Sequence, residues 1–227
     1  MAAQHKRRWL IAGLLIASAL SSACDPLMLS YFLVVGLDPK REPDCMIFRN
    51  RKDSKVVILA SAPIDTQLAV FVHADRELYH LFSQQMQANI AACKDKIRIA
   101  APAKVQKYLE EHPNWQTMDR AEIGKDLDAD FVIDLEINQL SLYEKESRNE
   151  LYRGNAEISV TVFDAAKPGE PPVYRKEYST VYPRSKGAIP VGDISVQAFK
   201  FAFMKRVATD LSWLFAGHST TDDYTCD

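Results

Sequence analysis

The sequence predicts an α/β protein of the α+β type, in which one mixed, largely antiparallel sheet has helices packed on it. Two long segments of alternating apolar and polar residues, 130–143 and 152–162, indicate neighbouring half-buried strands. Two other segments, 78–93 and 196–214, repeat apolar residues at helical spacing, which indicates helices with one buried face. Polar turns separate the strands, so we expect them to pair as an antiparallel meander.

The composition is that of an ordinary globular chain. Hydrophobic residues make up 47% and charged residues 26% of the 227 residues, and there are only 8 glycines. These values exclude a collagen, a wholly disordered protein and a polytopic membrane protein. The formal net charge of −2 argues against a nucleic-acid binder, so no nucleic-acid partner is expected.

The N-terminus has three consecutive parts that are typical of a secretory signal peptide, predicted here as residues 1–23. Basic residues at 6–8 precede an apolar run over 9–20, and small residues follow at 21–23. The apolar run is shorter than the roughly 20 residues that a membrane-spanning helix needs. A buried helix and a signal anchor are the alternatives, but Asp25-Pro26 ends the pattern and no capping residues support a core helix.

Cys24 decides between an anchored and a soluble mature protein. The segment Leu20-Ser-Ser-Ala-Cys24 resembles the lipobox of bacterial lipoproteins, in which the cysteine is lipidated and becomes the mature N-terminus. Ser21 stands where the lipobox usually has leucine, and Ser21 with Ala23 also fits an ordinary cleavage site, which would leave a soluble secreted protein. The resemblance implies lipid attachment at Cys24. It also implies a sorting role for Asp25, which resembles the signal that keeps enteric lipoproteins in the inner membrane.

The remaining cysteines give no sign of a metal site. Cys45, Cys93 and Cys226 are an odd number, so at most one disulfide forms among them. No Cys-x-x-Cys motif and no cysteine–histidine pair at ligand spacing occurs, so we expect neither a metal nor another cofactor. Cys93 falls on the apolar side of a helical pattern and is predicted to be a core residue.

A tether and two strands are predicted before the first helix. Residues 24–54 hold the anchor cysteine and a polar linker that contains prolines. The β-branched run 55–60 is typical of a buried strand, and 68–72 indicates a second one. A helix then begins at Asp75, whose side chain is a suitable N-cap.

The middle of the chain predicts one strand and two short helices. The strand covers 96–100, and the first helix covers 103–111 and ends before a proline. The second helix begins at Asp119, which has capping-box spacing to Glu122.

The C-terminal half predicts three strands and a long helix. The strand over 130–143 changes the phase of its apolar residues after Gln139, which indicates a bulge. A charged hairpin loop, a second long strand and a third strand over 173–182 follow. The last helix is expected to start at an Asp193 cap and to end at Phe215. The domain is therefore predicted to span 55–216, and 217–227 to be a flexible tail.

Part of this element order resembles a group of bacterial envelope domains. The segment Ile123-Gly-Lys-Asp-Leu-Asp-Ala-Asp-Phe-Val-Ile133 is followed by two long strands and then by Val162-Phe-Asp164 before a turn. This order is similar to the N-terminal domain of the Tol translocation protein, to the curli-secretion lipoprotein and to the lipoprotein activators of penicillin-binding proteins. Asp128 stands where that group usually has glycine. The resemblance implies a domain without an active site that binds or helps assemble other envelope components.

Three tyrosines are candidates for contact with a partner protein. Tyr178 belongs to an alternating tyrosine row on the third strand, and Tyr143 and Tyr152 flank the charged hairpin loop. Exposed tyrosines are common anchors of protein interfaces. Cross-strand packing within the sheet is the other reading of the same pattern.

The sequence also leaves open a secreted soluble hydrolase of unknown substrate. His73 and His80 could join Asp134 and Glu136, because catalytic groups are adjacent in space rather than in sequence. No nucleophile elbow, phosphate-binding loop or zinc-protease motif occurs. We therefore expect a non-enzyme: a lipoprotein held in the membrane by its lipid, facing the periplasm, in the inner rather than the outer membrane, with an envelope protein as partner.

Overall fold

The computed structural model describes residues 40–45, 53–62, 69–93 and 96–219, and all but Lys40 of these lie in one compact unit, Arg41–Asp227. Cys24, Asp25 and Cys226 lie outside the described residues, as does the side chain of Cys93. Among the described residues, no helix combines the length and the apolar character needed to cross a bilayer.

In the described part of the chain, the predicted α+β class is confirmed: one mixed sheet of six strands has four helices packed on it. The strands are β1 (Lys40–Arg41), β2 (Ser54–Ser61), β3 (Ile97–Ile99), β4 (Phe131–Tyr143), β5 (Leu151–Asp164), β6 (Tyr174–Tyr182), β7 (Ile189–Pro190) and β8 (His218–Ser219). The strand order is β3-β2-β4-β5-β6, with the short β7 paired to the start of β5. Strands β3 and β4 flank β2 in parallel, and β4, β5 and β6 form the antiparallel meander. A separate two-stranded sheet pairs β1 with β8.

The helices are α1 (Ala74–Cys93), α2 (Pro102–Glu111), α3 (Arg120–Asp126) and α4 (Val196–Trp213). Helices α1 and α4 cover one face of the sheet, which we call the covered face. Their apolar stripes meet the inward side chains of the central strands in the main core. The largest contributors are fully buried aromatic and aliphatic residues: Leu78, Phe82, Phe131, Ile133, Phe199, Phe203 and Phe215.

The opposite face of the sheet is only half covered. Helices α2 and α3 pack over β2 and the start of β4, where Val57, Leu59 and Val132 form a second, smaller core with the helices. The rest of β4, β5 and β6 presents a polar open face. There Asn138 Nδ2 donates a hydrogen bond to Ser159 Oγ at 2.7 Å, and Ser159 Oγ donates to Glu177 Oε2 at 2.7 Å.

Helices α1 and α4 run parallel, which gives the domain two distinct ends. Glu77 pairs with Lys200 near the start of both helices, and Asn89 Nδ2 donates to Ser212 Oγ at 2.9 Å near their ends. The end at which both helices begin is called the distal end. At the other end, the Cys45 N–H donates to the Leu214 carbonyl at 2.8 Å, so the chain enters the domain there. This entry end also contains the starts of β2, β4 and β6 and the end of β5.

Four local predictions were wrong, two of them before or at the start of α1. Residues 69–71 form a 3₁₀ turn and not a strand, because Phe71 alone turns inward while Val70 and Val72 stay exposed. Helix α1 begins at Ala74, so Asp75 lies in the first turn and not at the cap.

The start and end of α4 also differ from the prediction. Ser195 Oγ, not Asp193, caps the helix by accepting the N–H of Ala198 at 3.2 Å. Asp193 lies instead in the turn whose N–H donates to the Pro190 carbonyl, and the last regular helical residue is Trp213 rather than Phe215. The predicted bulge in β4 is confirmed by the register shift between Ile137 and Gln139.

Candidate functional site

The three predicted partner-contact tyrosines lie on the covered face. Tyr152 is buried, with 3% of its surface exposed, and its ring stacks on Phe199 at a centroid distance of 4.8 Å. Tyr143 stacks on Tyr152 at 5.4 Å. Tyr178 is half-buried and points its hydroxyl at helix α4. These rings therefore take part in the packing of the main core, and partner contact through them stays a prediction.

Tyr178 belongs to a buried charged cluster inside the covered face. Its hydroxyl donates to Asp210 Oδ2 at 2.6 Å, and Arg184 forms an ion pair with the same carboxylate. The other oxygen, Oδ1, lies 3.0 Å from Nε of Arg206, whose side chain is almost wholly buried. Burial and the neighbouring carboxylate raise the pKa of Tyr178, so the phenol remains a proton donor. The cluster fixes β6 and the loop after it to α4, which is a structural role.

The residues of the hydrolase alternative are not brought together. His73 and His80 are exposed on the side of helix α1, which packs on the covered face. Asp134 lies on the opposite side of the sheet, where its Oδ2 accepts a hydrogen bond from Arg120 Nε at 2.6 Å. Burial raises the pKa of Asp134 although the Arg120 guanidinium lowers it. Glu136 is exposed further along β4. Nothing in this arrangement joins a base to a nucleophile.

A polar cleft of about 420 Å³ lies at the entry end, beside the starts of β2 and β4. Its floor is made of small residues from two turns, and its walls carry charged side chains. The lining residues are Lys55, Arg98, Lys125, Asp128, Ala129, Asp130, Asp164, Ala165, Ala166 and Pro168. We call this feature the entry cleft.

The cleft is held by backbone contacts between distant segments. The Asp130 N–H donates to the Lys55 carbonyl at 2.8 Å, and the Ala165 N–H donates to the Asp130 carbonyl at 2.9 Å. Asp128 has a positive φ of 56°, so it adopts the left-handed conformation that explains the glycine in the resembling domains. A Cβ on Gly124 would lie 2.7 Å from Val132 Cγ2, so α3 can approach the sheet here only with glycine at this position.

The carboxylates of the cleft are already engaged. Asp130 Oδ2 accepts the Lys55 N–H at 2.8 Å, and Asp128 Oδ2 accepts Lys55 Nζ at 2.9 Å. Asp164 Oδ1 accepts the Ala166 N–H at 3.0 Å. The hydrogen bond and the charge of Lys55 lower the pKa of Asp128, so it is ionised at neutral pH.

Two cations of the cleft have no such partner. Within residues 40–45, 53–62, 69–93 and 96–219, neither the Arg98 guanidinium nor the Lys125 ammonium makes a hydrogen bond or an ion pair, although the charge of Arg98 helps to lower the pKa of Asp128. Sequence reasoning missed this pair, because each residue alone looks like an ordinary exposed charge. Arg98 alternates with Ile97 and Ile99 on β3, and this pattern was the one available sign that it faces outward from the sheet.

The distal end carries exposed apolar residues beside the charged hairpin 144–150. Five large hydrophobic residues of the described chain are exposed: Val70, Val72, Val173, Val191 and Phe201. All except Val173 lie near the starts of α1 and α4. Lys200, next to Phe201, lies 5.7 Å from the Phe71 ring centroid, which brings Val70 and Val72 to the same region.

No family model matches the chain, and no curated protein matches it. Several solved structures show a partial likeness. The PelC dodecamer from Paraburkholderia phytofirmans is 10% identical, with a TM-score of 0.40, 78% of this chain covered and 98% of that chain. Lipoprotein GNA1162 from Neisseria meningitidis is 7% identical, with a TM-score of 0.42 and coverage of 70% and 98%. A minor lipoprotein from Acinetobacter baumannii is 7% identical, with a TM-score of 0.36 and coverage of 70% and 90%. Likeness of this degree assigns neither a family nor a function.

Proposed function

We propose that the chain is a lipoprotein of the bacterial envelope whose α+β domain has no catalytic role and binds another envelope protein. The observation that carries this proposal is the N-terminal sequence: a basic start, an apolar run, small residues and then Cys24. A diacylglyceryl group with an amide-linked chain on Cys24 would supply the two or more acyl chains that durable anchoring needs.

The two ends of the domain support a tethered arrangement. The chain enters at Cys45, beside the end of α4, whereas the exposed apolar residues lie where α4 begins. An 18-residue helix is about 27 Å long, so these two features lie roughly that far apart. We propose that the exposed apolar residues of the distal end form the surface that contacts another protein. Exposed apolar groups are a common mark of protein-binding surfaces.

Mass spectrometry of the mature N-terminus tests the anchor. We expect a mature chain that begins at Cys24 and carries acyl chains, and a Cys24→Ala variant that no longer sediments with membranes. Cys45→Ala is the matched control, because it removes a thiol without touching the processing site, and it should remain attached. An unmodified Cys24 with a free amine would contradict the proposal and favour a secreted soluble protein.

Site-specific photo-cross-linking in cells tests the distal end. A photoreactive amino acid at Phe201 should give a discrete adduct with one envelope protein, whereas one at Val173 should not. The two positions make a matched pair, since both side chains are large, apolar and about half exposed, but they lie at opposite ends of the domain. Equal adducts at both positions, or none at Phe201, would argue against a partner-binding distal end.

Asp25 is the residue on which the proposed inner-membrane location depends. We propose that the protein stays in the inner membrane because Asp25 follows the anchored cysteine. Density-gradient fractionation should place the wild type with inner-membrane markers and Asp25→Ser with outer-membrane markers. If both proteins sediment with outer-membrane markers, Asp25 has no sorting role.

A further inference from the structure

We infer that the outer edge of β6 pairs in antiparallel orientation with the same edge of a second copy of this chain. The two sheets then continue into each other across a two-fold axis at Lys176. Neither the acyl anchor nor the partner of the distal end takes part in this contact, so the dimer is independent of the proposed function.

Strand β6 is a long edge strand. In the part of the chain that the structure describes, one side of β6 pairs with β5, and no strand pairs with the other side. No hydrogen bond of the described residues reaches the backbone of 174–181 from that outer side. A row of unpaired N–H and C=O groups is a template for another strand. The strand at the opposite edge of the sheet, β3, has only three residues, so β6 is the edge with room for a partner strand.

The exposed charges of β6 are complementary to those of a second copy. Glu177 lies on the open face, where it accepts the hydrogen bond of Ser159, and Arg175 lies two residues before it on the same face. Among the described residues, the Arg175 guanidinium has no hydrogen-bond or ion-pair partner. When residue 176 lies opposite itself in two antiparallel copies, Arg175 of each copy lies opposite Glu177 of the other. The two-fold symmetry forms this ion pair twice, and opposite charges in facing positions stabilise strand pairing.

The charges also distinguish this register from its neighbours. Side chains stay on matching faces only if the two-fold axis passes through a residue, so the adjacent registers have their axis at 175 or at 177. The first would place the two Arg175 side chains opposite each other, and the second the two Glu177 side chains, which like-charge repulsion disfavours. On the covered face the two Lys176 side chains approach each other at the axis, but each already forms an ion pair with Asp44 of its own chain.

The same contact covers Val173, which is 43% exposed and lies away from the distal end. Val173 immediately precedes β6 and comes to lie near Ser179 of the second copy. Its burial removes apolar surface from water, which stabilises the pairing. A photoreactive group at Val173 is therefore expected to link two copies of this chain, and the mass of that adduct separates it from an adduct with a different protein.

Sedimentation velocity of the unacylated chain 24–227 over a range of concentrations measures the self-association. We expect a reversible monomer–dimer equilibrium that weakens as salt is added. Arg175→Glu should raise the dissociation constant of the dimer by about fivefold or more, because both cross-strand pairs become like-charge contacts. Arg175→Glu/Glu177→Arg exchanges the two charges and should restore the wild-type constant. Arg98→Glu is the matched control: it makes the same charge change on the exposed side of the opposite edge strand and should leave the constant unchanged.

Disulfide formation tests the register. Lys176→Cys places two thiols opposite each other at the two-fold axis, at a Cα distance of about 4.5–5.5 Å that suits a disulfide. Ser179→Cys is the matched control, because residue 179 lies opposite residue 173 and not opposite itself. Both variants also contain Cys45→Ala, since Cys45 adjoins the Asp44 that pairs with Lys176. Oxidation should give a covalent dimer of the Lys176→Cys chain, whereas the Ser179→Cys chain should give no more dimer than Cys45→Ala alone.

Three results would overturn the inference. The first is a chain that stays monomeric at every concentration. The second is a dimer that Arg175→Glu and Arg98→Glu weaken equally or not at all, because the interface would then lie elsewhere. The third is equal cross-linking of the Lys176→Cys and Ser179→Cys chains. Circular dichroism of each variant should show an unchanged thermal midpoint, so that loss of the dimer is separated from loss of the fold.

Discussion

Replacing Gly154 with alanine should destabilise the domain, because this glycine is where β5 makes its closest approach to helix α4. A Cβ on Gly154 would lie 2.5 Å from Cδ2, 2.7 Å from Cγ and 2.8 Å from Cε2 of Phe203. Phe203 is fully buried and its ring is held within the main core, so it has no solvent-filled space to move into. The added methyl group therefore forces the ring or the helix to shift.

The expected cost follows from two opposing effects. Overpacking a well-packed core costs about 1–3 kcal/mol. Alanine also restricts the unfolded chain, which returns about 0.4–1 kcal/mol. The net loss of unfolding free energy is about 1–2 kcal/mol, measurable for the mature chain by urea unfolding followed by circular dichroism. In thermal unfolding, the midpoint should fall by roughly 2–8 °C for a domain of this size.

Gly187 supplies the matched control. A Cβ there meets no atom within 4 Å, so Gly187→Ala should leave the stability unchanged or raise it by up to about 1 kcal/mol. Adding Phe203→Leu to Gly154→Ala should relieve the clash. The double variant should then lose less stability than the sum of the two single variants, by at least about 0.5 kcal/mol. A Gly154→Ala protein as stable as Gly187→Ala, or strictly additive losses, would refute the close-contact argument.

Three further predictions address single contacts. Tyr178→Phe removes a donor to the buried Asp210 carboxylate and should lower the unfolding free energy by about 1.5–3 kcal/mol in urea unfolding; a change below 0.5 kcal/mol would contradict that hydrogen bond. Lys55 lowers the pKa of Asp128 in the folded protein. The Asp128–Lys55 pair therefore stabilises the fold above the ordinary pKa near 3.8, and this stabilisation is lost as the pH falls through the lower pKa of the folded protein. NMR titration should find this pKa returned towards 3.8 in Lys55→Gln, and an unchanged pKa would refute the pairing. Ser195→Ala should cost about 1 kcal/mol through loss of the α4 cap, and a stability equal to that of the wild type would show that the cap contributes nothing.

Periodicity predicted the regular elements well, because alternation along a strand and helical spacing both arise from burial of one face. The alternating residues Phe131, Ile133, Leu135 and Ile137 and the inner stripe of α4 lie in the main core as the pattern indicates, whereas Val132 lies in the second core. The segment 68–72 misled the prediction, because apolar residues form a strand only where a neighbouring strand pairs with them, and the described residues 69–71 form a 3₁₀ turn. Their local structure is decided by the helix that follows and by the burial of Phe71 alone.

The alternating tyrosines of β6 show that periodicity does not predict which face of a strand is buried. The pattern places Tyr174, Tyr178 and Tyr182 on one face of β6, but a strand has two faces and sequence periodicity does not say which one a helix covers. The buried pair Arg206 and Asp210 was missed for a related reason. Charged residues four apart on a helix usually form a solvated pair, and only the packing of the C-terminal half of α4 puts both of them in the core.

The candidate cleft could not be predicted from local sequence. Its lining comes from segments near residues 55, 98, 125–130 and 164–168, which are brought together by the parallel pairing of β2 with β3 and β4 and by the antiparallel pairing of β4 with β5. The positive φ of Asp128 was likewise not predicted from the sequence. Whether the side chain of a basic residue has a hydrogen-bond or ion-pair partner depends on the tertiary structure, so the sequence pattern alone does not predict it.

The parallel pairing of β2 with β4 has a consequence for the order of folding. The Lys55 amide is joined to the Asp130 carboxylate across 75 positions of the chain, whereas β4, β5 and β6 are consecutive neighbours. Contacts between distant segments form slowly because closing the intervening loop costs entropy. At synthesis rates of about 5–20 residues per second, the start of β4 is synthesised roughly 4–15 s after the start of β2. The apolar run Val56 to Leu59, which is buried in the folded domain, therefore lacks its β4 partner during that interval.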